Sequence, residues 1–207
     1  MNLLHRYTNI AATIHLLRTK RITLLNPATW DDGNDAHFMA EYKRIKGAKT
    51  VLGLCFAHPP QGYHFWRVFS HGGDGVCIEF DKSKLLSTFD RENNTRHSEM
   101  QYTTIDKIKE LPHIPLEDLP FLKGYRYREE REYRIVYVGM DKEIQFKNYE
   151  INLGWINRIT LSPWMPKVFV DSVKSTLKSI DGCSGIKVSW STLVDSEAWK
   201  EQTARVR

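Results

Sequence analysis

The sequence is poor in cysteine. Cys55, Cys77 and Cys183 are an odd number with no ligand-like spacing, which argues against a disulfide framework and for a reduced, cytoplasmic setting. Long apolar runs are missing too: none approaches the roughly 18 residues that a membrane-spanning helix requires. The short apolar start is broken by His5 and Arg6, so no secretion signal is expected. The glycine-rich run His71-Gly72-Gly73-Asp74-Gly75 lacks a following Gly-Lys-Ser/Thr and leads into a strand-like segment. That excludes a nucleotide P-loop. No repeat, low-complexity tract or domain boundary interrupts residues 1–207, so the chain is expected to be a single α+β domain.

What is present describes an ordinary globular protein: 41% apolar and 27% charged residues, with 12% aromatic including six tryptophans. A formal net charge of +5 biases the partner toward an anion, such as a nucleic acid or a phosphorylated cofactor. Patterning predicts a strand ending near Asn9, a helix over 10–19 and a strand over 21–25. A helix over about 36–46 and a buried strand over 50–57 follow. His58 to Gly62 is a turn. A short helix at 63–70, a strand at 76–80 and a helix at 81–88 come next, then a polar loop over 90–99. A short strand at 100–104 precedes a helix at 105–111 and a proline-spaced connector over 112–120. A strand at 156–161, a helix at 167–180, a strand at 186–190 and a polar tail complete the chain.

The most informative stretch is Phe121 to Val138, FLKGYRYREEREYRIVYV. A basic, aromatic lead-in (Lys123, Arg126, Arg128) precedes Glu130 and Glu132, and the β-branched and aromatic run after them predicts a strand. Residues two apart on a strand share a face, so Glu130, Glu132 and Arg134 should project together. Two readings are open: an edge strand whose charged face is solvated or salt-bridged, or a site where carboxylates meet a cationic or sugar-like substrate.

Other candidates have plain alternatives. Asp31, Asp32 and Asp35 open a helix, where acidic residues cap or brace; metal binding is the alternative, at a spacing that fits no cation loop. His64 is either a general base or a packing residue, Trp66 a ligand platform or core, and His71 a phosphate contact or a turn residue. Cys55 lies in an apolar strand and should be inert.

LHRYTN near the start, the acidic WDDGND loop, YHFW, GVCIEFD and EREYR together resemble an uncharacterised bacterial family of unknown-function domains, met near phage-defence and mobile-element genes. At a weaker level the order of parts resembles the ADP-ribosyltransferase superfamily. That resemblance implies a mixed, split β-sheet with flanking helices and NAD as substrate. His5 or Arg6 would hold the NAD diphosphate or ribose, and Cys55-Phe56-Ala57 would stand at a middle motif that carries serines elsewhere. Glu132 would be the catalytic glutamate and Glu130 its companion. Tyr7, Tyr63 or Trp66 would stack on nicotinamide, with His64 beside them.

The implied reaction moves ADP-ribose from NAD to a macromolecule, with RNA or DNA suggested by Lys123, Arg126 and Arg128. A toxin or phage-defence role and a neutralising, antitoxin-like partner would follow from the family's genomic company. Two alternatives stand beside it. An inactive nucleotide- or nucleic-acid-binding module would suit the missing serines, and a metal-dependent nuclease would use Asp31, Asp32 and Asp35.

Overall fold

In the computed structural model, which describes residues 2–58, 62–70 and 72–205, helices and strands alternate along the chain. They are β1 (Leu3–Asn9), α1 (Ile10–Thr19), β2 (Arg21–Leu25), α2 (Gly33–Lys46), β3 (Thr50–Ala57) and α3 (Tyr63–Phe69). β4 (Gly75–Asp81), α4 (Lys82–Phe89), β5 (Thr95–Glu99), β6 (Gln101–Thr103), α5 (Ile105–Glu110) and β7 (Leu122–Gly124) follow. β8 (Glu132–Gly139), β9 (Phe146–Glu150), β10 (Ile156–Leu161), α6 (Lys167–Ser179), β11 (Val188–Trp190) and α7 (Glu197–Lys200) complete the chain. The architecture is α+β with a mixed sheet and flanking helices. Pro59, Pro60 and Gln61 of the expected turn, and His71, lie outside the described residues.

The chain forms two compact units of interleaved segments. The first comprises Met1–Leu4, Lys20–Pro59 and Asp81–Ile151; the second comprises His5–Thr19, Pro60–Phe80 and Asn152–Arg207. In the first, strands run in the order β5-β8-β3-β2-β9, and every adjacent pair is antiparallel. A core of Met39, Tyr42, Val51, Met100, Phe121 and Val136 packs there. In the second, β4 lies between β1 and β10; β10 pairs antiparallel with β4 and parallel with β11.

Three local expectations are corrected. Helix α2 starts at Gly33, earlier than its apolar spacing suggests, because the Asp32 carboxylate accepts the Asn34 amide at 3.0 Å and caps it. The helix closes at Gly47 with φ 68°, a left-handed turn that glycine adopts without a Cβ penalty. The polar stretch 90–99 is not all loop: Thr95–Glu99 is a strand paired with β8. Its polar residues are tolerated because only half-burial is asked of them. The strand expected in the second half of Phe121 to Val138 does not include Glu130 either. β7 gives way to a 3-10 turn over Tyr125–Glu130, and β8 begins at Glu132 after Arg131, whose φ of 44° is left-handed.

β8 is an interior strand, flanked by β3 and β5, so its charges do not lie on an edge, while their salt-bridged state is as that reading expected. Gly53 on β3 leaves room for a ring: a Cβ there would lie 2.6 Å from Trp30 Cζ2. Trp30 in turn carries the Arg134 guanidinium 4.7 Å from its centroid. Gly53→Ala is therefore expected to destabilise the protein by about 1–3 kcal/mol through overpacking. A urea midpoint unchanged from wild type would show that Trp30 moves aside freely.

Candidate functional site

Five ionisable side chains of the first unit meet below the start of β8. Glu132 and Arg134, two residues apart on the same strand, turn the same way, opposite Ala57 and Cys55 of β3. Arg134 is 1% exposed. Its Nε donates to Glu132 Oε1 at 2.7 Å, and its Nη1 and Nη2 donate to Asp35 Oδ1 and Oδ2 at 3.0 and 2.7 Å. Nη1 also donates to the Pro120 carbonyl at 2.9 Å. The guanidinium fork thus ties α2, the 3-10 turn before β7, and β8 through charge-assisted bonds.

Lys123 enters from β7. Its Nζ lies 2.6 Å from Glu130 Oε2, 3.1 Å from Glu132 Oε2 and 3.2 Å from Asp35 Oδ2. The Tyr102 hydroxyl accepts the Glu132 amide at 2.8 Å, and the Cys55 thiol hydrogen-bonds to the Glu132 carboxylate.

The charges do not balance. Asp35, Glu130 and Glu132 supply three carboxylates, while Arg134 and Lys123 supply two cations. The titration tendencies show where the surplus falls. Burial would raise the Glu132 carboxyl, but Arg134 and Lys123 outweigh it and hold the group down to about 2. For Glu130, burial outweighs Lys123, and nearby Glu132 and Asp35 push the same way, so its carboxyl lies above the ordinary range. Lys123 is driven up by its three carboxylates against the opposing effect of burial. Glu130 is therefore the carboxylate of the cluster whose ionised form its surroundings favour least.

The sequence places Glu130, Glu132 and Arg134 on one strand face. The structure brings all three together, but Glu130 arrives from the 3-10 turn and not from the strand, because Arg131 reverses the backbone between them. Lys123, expected from the sequence to contact nucleic acid, instead has its ammonium buried among three carboxylates. Arg126 and Arg128 remain exposed, with Arg128 over the Tyr125 ring at 4.6 Å. Asp35 is a brace, and Asp32 a helix cap. Among the described residues no group of three His, Cys, Asp or Glu side chains could hold a metal ion.

The candidates for NAD contacts lie in the second unit. His5 is buried, with Nε2 3.4 Å from Glu79 Oε2; Arg6 is half-buried. Tyr7 is buried in an aromatic cluster, with its centroid 5.8 Å from Phe65 and 5.3 Å from Trp66, and burial pushes its hydroxyl far up. Trp66 is 1% exposed, so it is core and not a stacking platform, as is Tyr7 for the same reason. Tyr63 and His64 are exposed. Tyr63 meets Trp164 edge-on at 5.6 Å, and Arg67 lies 4.2 Å above the Trp164 ring.

Sequence reasoning missed Tyr102, whose role depends on a backbone amide thirty residues away and leaves no pattern in the chain. It noticed Arg134 only as a neighbour on the strand. The available signal was an arginine inside an apolar strand, which requires a buried partner.

A family model described as "Protein of unknown function (DUF2971)" matches residues 65–135, a stretch that includes Lys123, Glu130, Glu132 and Arg134. Among solved structures, DarT of Thermus sp. 2.9 in complex with NAD+ is similar at 10% identity and a TM-score of 0.47, over 92% of this chain and 95% of that one. No curated protein sequence matches. Among the described residues no helix is long and apolar enough to cross a membrane.

Proposed function

We propose that this chain is an NAD-dependent mono-ADP-ribosyltransferase acting on a macromolecule, in the cytoplasm, with Glu130 and Glu132 as its acidic pair. The observation that carries the reading is the buried ionic cluster with one carboxylate in excess. Breaking the bond between ribose C1′ and nicotinamide sends the electron pair out with nicotinamide and leaves positive charge on the ribose. A preorganised, unbalanced carboxylate in a water-poor site stabilises that charge.

Glu130, with its raised proton affinity, also accepts the proton that the acceptor nucleophile loses as it bonds to C1′. Glu132 orients Lys123 and Arg134 and carries the fixed negative charge. The resemblance to ADP-ribosyltransferases assigns the NAD diphosphate or ribose to Arg6 or His5, and the positive charge of the exposed Arg126 and Arg128 suits a nucleic-acid acceptor. A toxin or phage-defence role, with a neutralising partner, rests on the family resemblance.

One observation favours a second reading, an inactive binding module. Both Glu132 oxygens already accept charged hydrogen bonds, Oε1 from Arg134 and Oε2 from Lys123. Incubation with labelled NAD and cellular RNA, DNA and protein separates the two. Transfer of label to one of these, lost in Glu130→Gln, is expected. Binding of NAD or nucleic acid without NAD consumption would select the module.

A further inference from the structure

Lys123 places its ammonium among three carboxylates, those of Asp35, Glu130 and Glu132. It contributes the second positive charge of the cluster, yet it comes from outside the principal ladders. β7 is three residues long and pairs in parallel with β6, itself three residues, as a separate two-stranded sheet. The segment that delivers Lys123 is short and bounded. Phe121, buried in the core, anchors one end. Arg131, left-handed at φ 44° without being glycine, closes the other, a conformation disfavoured for a residue with a Cβ. Between them Gly124, Tyr125, Arg126, Arg128 and Glu129 are exposed. Residues 122–130 are held by the short β6–β7 ladder, the buried Leu122, Lys123 and Glu130 side chains and the half-buried Tyr127 ring beside Lys123, with the rest exposed, the profile of a segment that opens locally.

We propose that Lys123 is an internal, autoinhibitory occupant of the acidic cluster, displaced when the positively charged nicotinamide riboside end of the substrate enters. The exchange is balanced: one monovalent cation leaves the three carboxylates and another takes its place, with Arg134 fixed throughout. With Lys123 withdrawn and nothing in its stead, Asp35, Glu130 and Glu132 would face Arg134 alone, an excess of two negative charges. That excess makes the open state attractive to a cation and scarce without one. The inference rests on the NAD reading for the identity of the ligand but not for the motion.

The test is acylation of wild-type protein with an amine-reactive reagent, read at each lysine by mass spectrometry, with exposed Lys107 as the reference. If the segment opens locally, Lys123 is modified at a rate independent of low urea concentrations, and saturating NAD raises that rate. Modification of Lys123 only in step with global unfolding would overturn the proposal. Calorimetry of Lys123→Met adds a second reading: removal of the competitor should tighten NAD binding on the order of tenfold, since the closed fraction no longer reduces the apparent affinity. A folded Lys123→Met that binds NAD no more tightly than wild type would also overturn it. Urea-independent acylation with no NAD binding to either protein would refute the NAD reading and leave the opening of the segment standing.

Discussion

Replacing Arg134 with methionine is expected to cost about 3–5 kcal/mol of folding stability, the typical loss when one member of a buried ion pair is removed. The magnitude follows from what remains behind. Asp35 loses both guanidinium bonds and Glu132 loses its Nε partner, leaving Lys123 to face three carboxylates in a nearly sealed site. The Pro120 carbonyl loses a donor as well. Methionine fills much of the volume but replaces none of these bonds. Arg134→Lys should fall between the two, because a single ammonium cannot serve Asp35 through two nitrogens while reaching Glu132. Urea denaturation measures this directly, and a loss below about 1 kcal/mol for the methionine variant would mean that the cluster is solvated in solution.

The Glu130→Gln variant should reduce NAD-dependent transfer by on the order of 10²-fold or more, the scale seen when a single electrostatic stabiliser is removed, while leaving the fold intact. The combination is the diagnostic part. Glu130 is the surplus carboxylate, so neutralising it removes charge repulsion and should leave stability at neutral pH equal or higher. Glu132→Gln should instead destabilise, because it withdraws the partner of both Lys123 and Arg134.

The pH dependence separates the pair by sign. Glu132 is depressed from 4.5 to about 2. Its stabilising contribution is present above the unfolded value and lost as pH falls toward about 2. Glu130 is raised, so its contribution grows as pH falls through its folded value and is lost as pH rises. Glu132→Gln should flatten the acid limb of the stability profile; Glu130→Gln should flatten the limb above it. Activity unchanged in Glu130→Gln would exclude Glu130 from the chemistry.

Much of the local structure was legible. Ile10, Ile14 and Leu17 mark α1, and the unbroken apolar run Thr50–Ala57 marks β3, because periodicity and burial are written into neighbouring residues. The acidic pair was visible as well, since EREYR puts two carboxylates ahead of an apolar strand. The route by which Glu130 reaches its partner was not visible. A left-handed arginine at 131 delays the start of the strand to Glu132, and nothing in its side chain announces that conformation.

The same limit misassigned Lys123. In sequence it reads with Arg126 and Arg128 as one basic patch, yet the turn sends it inward and them outward. Trp66 and Tyr7 were ambiguous because an aromatic ring looks the same in a core and at a binding surface until its burial is known.

By itself the sequence determined most of the helices and strands, the α+β class and the presence of a charged segment at the head of an apolar strand. These depend on the order of residues within a turn or a strand. Only the tertiary structure decided that Asp35, ninety-nine positions from Arg134, closes its fork, that Lys123 is sealed among three carboxylates, and that these three carboxylates share two cations. Electrostatic balance is a sum over groups brought together in space, and a linear chain does not record which groups will share that sum.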